Sequence, residues 1–247
     1  MELVGAIAAG VLIGAVLGFV GAGGAMLSVP ILMYFFNFNP KSATTAALAI
    51  VFLAALSGAI AKARSAQILY REALVIVGIG LISNLGFASV ANKLSDAFIT
   101  SGFALILIVA ALSMLFNPKF KPETRMPLPL LILISLLIGS MTGIFGIGGG
   151  FLAIPVLVLF FGTPQAKAAG TSLLIIALNS LISFLGHHSL WETVRWHVPI
   201  FIGISAVVVA QISSHFSTKA SPKILRTSFA VLLLLIAAFT LLDTWIS

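Results

Sequence analysis

No cysteine occurs in the 247 residues. That excludes a disulfide framework, thiol chemistry and any cysteine-ligated metal site, and it leaves the redox compartment open. Charge is scarce as well. Asp, Glu, Lys and Arg make up only 8% of the chain, and just six residues are acidic, where a soluble domain carries about a quarter charged residues. Glu2, Glu72, Asp96, Glu123, Glu192 and Asp243 all fall in loops or at the ends of apolar segments. No acid sits in mid-segment, where proton-coupled carriers keep one. There is no P-loop, so the chain carries no ATP motor, and no G-x-G-x-x-G, which excludes a dinucleotide fold. A Ser/His/Asp set, a metal motif and paired acids are missing too, which argues against the alternative of a lipid-processing membrane enzyme. The N-terminus, MELVGAIAAG, has no basic stretch and reads as a retained first helix.

What is abundant is apolar sequence: 60% of residues are hydrophobic. Apolar runs of about 17–25 residues match the bilayer core. The chain therefore reads as an all-α polytopic membrane protein with the lipid bilayer as its surroundings. Apolar segments fall near 3–20, 25–37, 43–61, 73–91 and 97–116, and again near 128–145, 150–161, 168–186, 198–213 and 225–242. A polar, proline-rich stretch, NPKFKPETRMP, separates the two sets. The expected organisation is a first membrane repeat over 1–117, a cytoplasmic linker over 118–127 and a second repeat over 128–247.

The two halves echo each other. Gly14, Gly18, Gly21, Gly23, Gly24 and Pro30 recur 125 positions later as Gly139, Gly143, Gly146, Gly148, Gly149 and Pro155. SATTAAL at 42–48 is echoed by AAGTSLL at 168–174, and Gly78 by Gly203. Such weak whole-half similarity marks an internally repeated transporter. The net charge of +7 comes from cations scattered through short loops, which fits the positive-inside rule rather than nucleic-acid binding. With ten segments, ten cations fall on one side and Lys41, Lys93 and Arg195 on the other. That split places both termini outside the cytoplasmic membrane and makes the two five-segment repeats inverted.

Segments 25–37 and 150–161 are short for a full crossing at ~1.5 Å per residue. Each follows a glycine cluster, GFVGAGGAML at 18–27 and GIFGIGGGFL at 143–152. The expectation is a re-entrant hairpin or broken helix at each cluster, the two meeting near the midplane. Irregular backbone at that depth must be buried in protein or line a wet cavity. A helix that starts there presents unmet N–H groups and the positive end of its dipole, which is an anion site without a cationic side chain. The substrate-binding candidates are therefore Gly21, Gly23, Gly24 and Ala25 with Gly146, Gly148, Gly149 and Gly150. The hydroxyls of Thr44, Thr45, Thr171 and Ser172 are possible donors to an oxyanion, with helix back-bonding as the competing role. Asn179 lies two turns further along. The outer glycines form GxxxG at 14–18 and 139–143 and are assigned to helix packing. In GHHSLWETVRWH at 186–197, His187 and His188 are weaker candidates for a gate or proton carrier. Trp191 and Trp196 mark that stretch as interfacial rather than metal-binding. No metal or cofactor is expected.

GFVGAGGAMLSVPIL, GIFGIGGGFLAIPVL and GTSLL at 170–174 resemble the TauE/SafE family of sulfite and organosulfur anion exporters, and the resemblance extends over the whole chain. It implies export of a small sulfur-containing anion such as sulfite or a sulfonate. The first half departs from the pattern: TTAAL at 44–48 puts Ala46 opposite Ser172. Alternating access driven largely by membrane potential is the expected mechanism, a channel-like anion pore with the same dipole site being the alternative.

Overall fold

The computed structural model describes residues 2–22, 24–91, 96–115, 127–145 and 150–246. Within them the chain is helical, in ten α-helices: α1 Glu2–Val20, α2 Gly24–Phe36, α3 Pro40–Arg64, α4 Tyr70–Ala91, α5 Asp96–Leu115, α6 Leu128–Phe145, α7 Gly150–Phe161, α8 Gln165–Gly186, α9 His197–Lys219 and α10 Pro222–Ile246. Each matches one apolar segment of the sequence. A short 3-10 helix, His188–Thr193, joins α8 to α9. Five of the described helices (α1, α3, α8, α9 and α10) have runs long and apolar enough to cross a membrane. Of the expected linker, 118–127, all but residue 127 lies outside the described residues.

The half-length helices are explained by their ends. α2 and α7 have 13 and 12 residues, so they extend only about 18–20 Å. Each closes with a left-handed residue, Asn37 at φ 52° and Gly162 at φ 62°. In each the following N–H returns to a carbonyl six residues back: Phe38 to Leu32 and Thr163 to Leu157, both at 3.1 Å. This is the same helix-ending hydrogen-bond motif written twice, 125 residues apart. The Arg195 guanidinium also covers the end of α2, donating to the Phe36 carbonyl at 3.1 Å and lying 4.9 Å from the Phe38 ring centre.

α3 and α8 form the centre and run antiparallel. Thr45, early in α3, meets His187 at the end of α8. Gly170, early in α8, packs on Lys62 and the Gln67 carbonyl at the end of α3. Around this pair the contacts come in matched sets: α1 lies along α9 as α6 lies along α4, α2 packs on α3 as α7 packs on α8, and α5 packs on α10. The α1–α9 seam depends on small residues. Gly10, Gly14 and Gly18 face the backbone of Ile202, Ala206 and Ala210, where a Cβ would overlap carbonyl oxygens. Ser213 and Ser214 donate hydroxyls to the Gly14 and Gly18 carbonyls at 3.1 and 3.0 Å. Gly139 meets Gly80 and Ser83 in the same manner. Close backbone approach of this kind replaces the hydrophobic driving force that lipid does not supply. Not every echoed glycine serves it: at Gly78 and Gly203 a Cβ would touch nothing within 4 Å.

Candidate functional site

The first glycine break is a hairpin. α1 stops at Val20, and Gly21 takes φ +84°, with its N–H donating to the Leu17 carbonyl at 2.9 Å. A Cβ on Gly21 would lie 2.7 Å from the Ala169 Cα of α8. Glycine is thus required there twice, for the left-handed turn and for the approach of a neighbouring backbone. The chain then returns along α1: Gly24 packs on Leu17, and Phe36 reaches the level of Gly5. Ala22 and Gly24 are buried, and the Ser28 hydroxyl donates to the Gly24 carbonyl at 2.6 Å. Gly23 lies outside the described residues, as does the side chain of Ala25.

The second break is seen from its far side, since Gly146, Gly148 and Gly149 also lie outside the described residues. α7 starts at Gly150, which is buried against Ile176 with no room for a Cβ. Its carbonyl accepts from the fully buried Ser172 hydroxyl at 2.7 Å. Ser172 and Ile176 are seven and eleven residues into α8, about 10–16 Å from its first residue. The N-terminus of α7 therefore ends about halfway along the central helix, inside the bundle. Its first N–H groups have no intrahelical acceptor and carry the positive end of the dipole.

The other polar candidates are not gathered at one point. Thr44 and Thr45 return their hydroxyls to the Pro40 and Lys41 carbonyls, each at 2.9 Å. Thr45 also stands 3.2 Å from His187 Nδ1. Thr171 donates to the Lys167 carbonyl at 2.8 Å and accepts from the Leu69 N–H at 3.0 Å. The antiparallel packing puts Thr45 and Thr171 at opposite ends of the α3–α8 pair, where each ties a helix start to the loop beside it. Among the described residues, Ser172 alone of the four hydroxyls bonds a glycine break. Asn179 is half-buried on α8, seven residues beyond Ser172 and so on the same helical face. His187 is half-buried and His188 exposed. Trp191 stacks on Phe184 with ring centres 4.7 Å apart and donates its indole N–H to the Phe184 carbonyl at 3.1 Å.

Two polar residues escaped the sequence reading. Lys62, counted there as a loop cation, is fully buried in the last turn of α3 and donates to Gln67 Oε1 at 3.3 Å. Gln165, the first residue of α8, is buried as well. Nothing in their local sequence distinguishes them, because their cover comes from other helices. Lys62, Arg64, Arg71, Lys167, Lys219, Lys223 and Arg226 all belong to the end of the bundle where α3 stops and α8 starts. Lys41 and Arg195 belong to the opposite end.

Residues 6–240 match the family model described as "Sulfite exporter TauE/SafE". The chain belongs to the TauE/SafE family. Similar proteins include a "Probable membrane transporter protein" of Xylella fastidiosa, 26% identical over 255 aligned residues that cover 100% of this chain and 97% of its own. The "Probable membrane transporter protein YunE" of Bacillus subtilis is 26% identical over 76% of this chain and 78% of its own. A third, from Methanocaldococcus jannaschii, is 38% identical over 38% of this chain and 37% of its own. Family membership and these relatives make this TauE/SafE chain an integral membrane protein and a membrane transporter.

Proposed function

We propose that this TauE/SafE chain exports a small sulfur-containing oxyanion, such as sulfite or a sulfonate, by alternating access. The observation that carries the proposal is the start of α7 at Gly150, buried halfway along α8 behind a glycine break. A helix N-terminus inside a bundle is costly unless something negative meets it, and a transported anion does so transiently. The hairpin at Gly21 supplies the related feature in the first half, with a second short helix, α2, starting just beyond it. The antiparallel α3–α8 pair and the matched contacts around it support inverted repeats, with residues 1–117 and 128–247 as the two units. The substrate site on this reading comprises Gly21, Gly23, Gly24 and Ala25, then Gly146, Gly148, Gly149 and Gly150, with Ser172 and Asn179 beside them. Thr44, Thr45, Thr171 and His187 belong to the closures at the two ends. The cation-rich end is cytoplasmic by the positive-inside rule, which places both termini on the outer side of the cytoplasmic membrane. An anion leaving a negative interior gains ~2.3 kcal/mol per charge per 100 mV, so export needs no coupled ion.

The test is efflux from proteoliposomes loaded with a panel of sulfite, thiosulfate, sulfonates and thiol acids. Saturable efflux of at least one oxyanion supports the proposal. Empty-liposome rates for the whole panel would overturn it.

A further inference from the structure

Gln165 is an anomaly. It is 5% exposed, and both amide atoms, Oε1 and Nε2, are buried without a hydrogen-bond partner among the described residues. Native proteins rarely leave a buried donor and acceptor both unmet, because each keeps its full desolvation penalty. A methionine of similar length would fill the same volume without it.

The residue also stands at an open helix end. Gln165 begins α8, and its cap residue, Pro164, makes no side-chain capping bond. The N–H groups of Gln165 and Ala166 have no intrahelical acceptor. Helical side chains lean toward the N-terminus, which directs the Gln165 side chain toward the open end of α8. The same face of α8 then leads inward. Ala169, four residues on, packs against the Gly21 turn. Ser172, seven on, bonds Gly150 at the start of α7. Asn179 is fourteen on and half-buried. One stripe of one helix thus passes from an unsatisfied amide at the cation-rich end, alongside both glycine breaks, to a second amide.

We propose that Gln165 and the first turn of α8 form a loading subsite for the transported oxyanion, on the helix face that also carries Ser172 and Asn179. This rests on the transport reading above. Nε2 and the backbone N–H groups donate to two oxygens of the anion. Oε1 needs a donor in return, so the fitting ligand is a monoanion that also bears an O–H or N–H: a hydrogen-bearing oxyanion, or a sulfonate with an adjacent hydroxyl or amine.

The test uses the full chain in proteoliposomes, with the panel anion that the wild type carries fastest, sulfite being the expected one. For Gln165→Met, KM for anion presented at the cytoplasmic face should rise about tenfold, with the maximal rate within twofold. Its melting temperature in detergent should equal or exceed that of the wild type, and the upward shift given by the same anion should be smaller than in the wild type. Gln165→Glu keeps the shape and adds a repelling charge, so it should raise KM further; it also decides the matter if the methionine variant does not fold. An unchanged KM in a well-folded variant of either kind overturns the subsite while leaving the transport reading intact. A wild type that carries none of the panel overturns both.

Discussion

Gly21→Ala tests whether the first break is held by its neighbours. At φ +84° an alanine is strained by about 1–2 kcal/mol. Its Cβ would lie 2.6 Å from the Ala169 Cβ and 2.7 Å from the Ala169 Cα. The second of these is backbone, so rotating a side chain cannot relieve it. The α1–α2 hairpin must move away from α8, an overpacking cost of about 1–3 kcal/mol. Together the two effects amount to roughly 2–5 kcal/mol, or a fall of roughly 5–20 °C in apparent Tm for a chain of this size. Thermal shift of the detergent-purified protein measures it, beside efflux normalised to folded protein. Gly78→Ala and Gly203→Ala are the controls. Both sit inside helices with nothing within 4 Å of the added Cβ, so each should gain about 0.5–1 kcal/mol. A Gly21→Ala protein that melts within a degree or two of the wild type would refute both the left-handed turn and its contact with α8.

Gly24→Leu should lower efflux per folded molecule at least tenfold, since Gly24 opens α2 and packs on Leu17; flux that falls only in step with folded protein would make Gly24 a packing residue. Ser172→Ala removes the 2.7 Å bond to the Gly150 carbonyl in a fully buried setting. It should cost about 1–3 kcal/mol and raise KM, and an unchanged melting temperature would remove this bond as the tether of α7. Efflux should accelerate under a valinomycin-set negative interior with pH and sodium equal on both sides, whereas flux that appears only with a pH gradient would turn attention to His187 and its contact with Thr45. Cysteine labelling at Glu2 should report the outer side, and a cytoplasmic location would invert the drawn orientation.

All ten helices were legible in the sequence, because lipid leaves little choice. A backbone that cannot bond to water must bond to itself, and apolar runs with glycine and proline breaks between them set where each helix starts and stops. The glycine echo between the halves was visible in the sequence; the helix-ending motif shared by Asn37 and Gly162 at the ends of α2 and α7 came from the structure. The depth and company of each polar group were not, since those depend on which helix lies opposite. Thr45 and Thr171 look like paired ligands in the sequence, yet antiparallel packing of α3 against α8 sends them to opposite ends of the bundle. Lys62 reads as a loop cation, yet Gly170 lets the neighbouring helix close over it. Gln165 has no feature of its own in the sequence; only the packed bundle takes both its amide atoms away from water without giving either a partner among the described residues. Helix formation is decided by each segment and its solvent, while the burial of a particular donor or acceptor is decided by segments a hundred residues away.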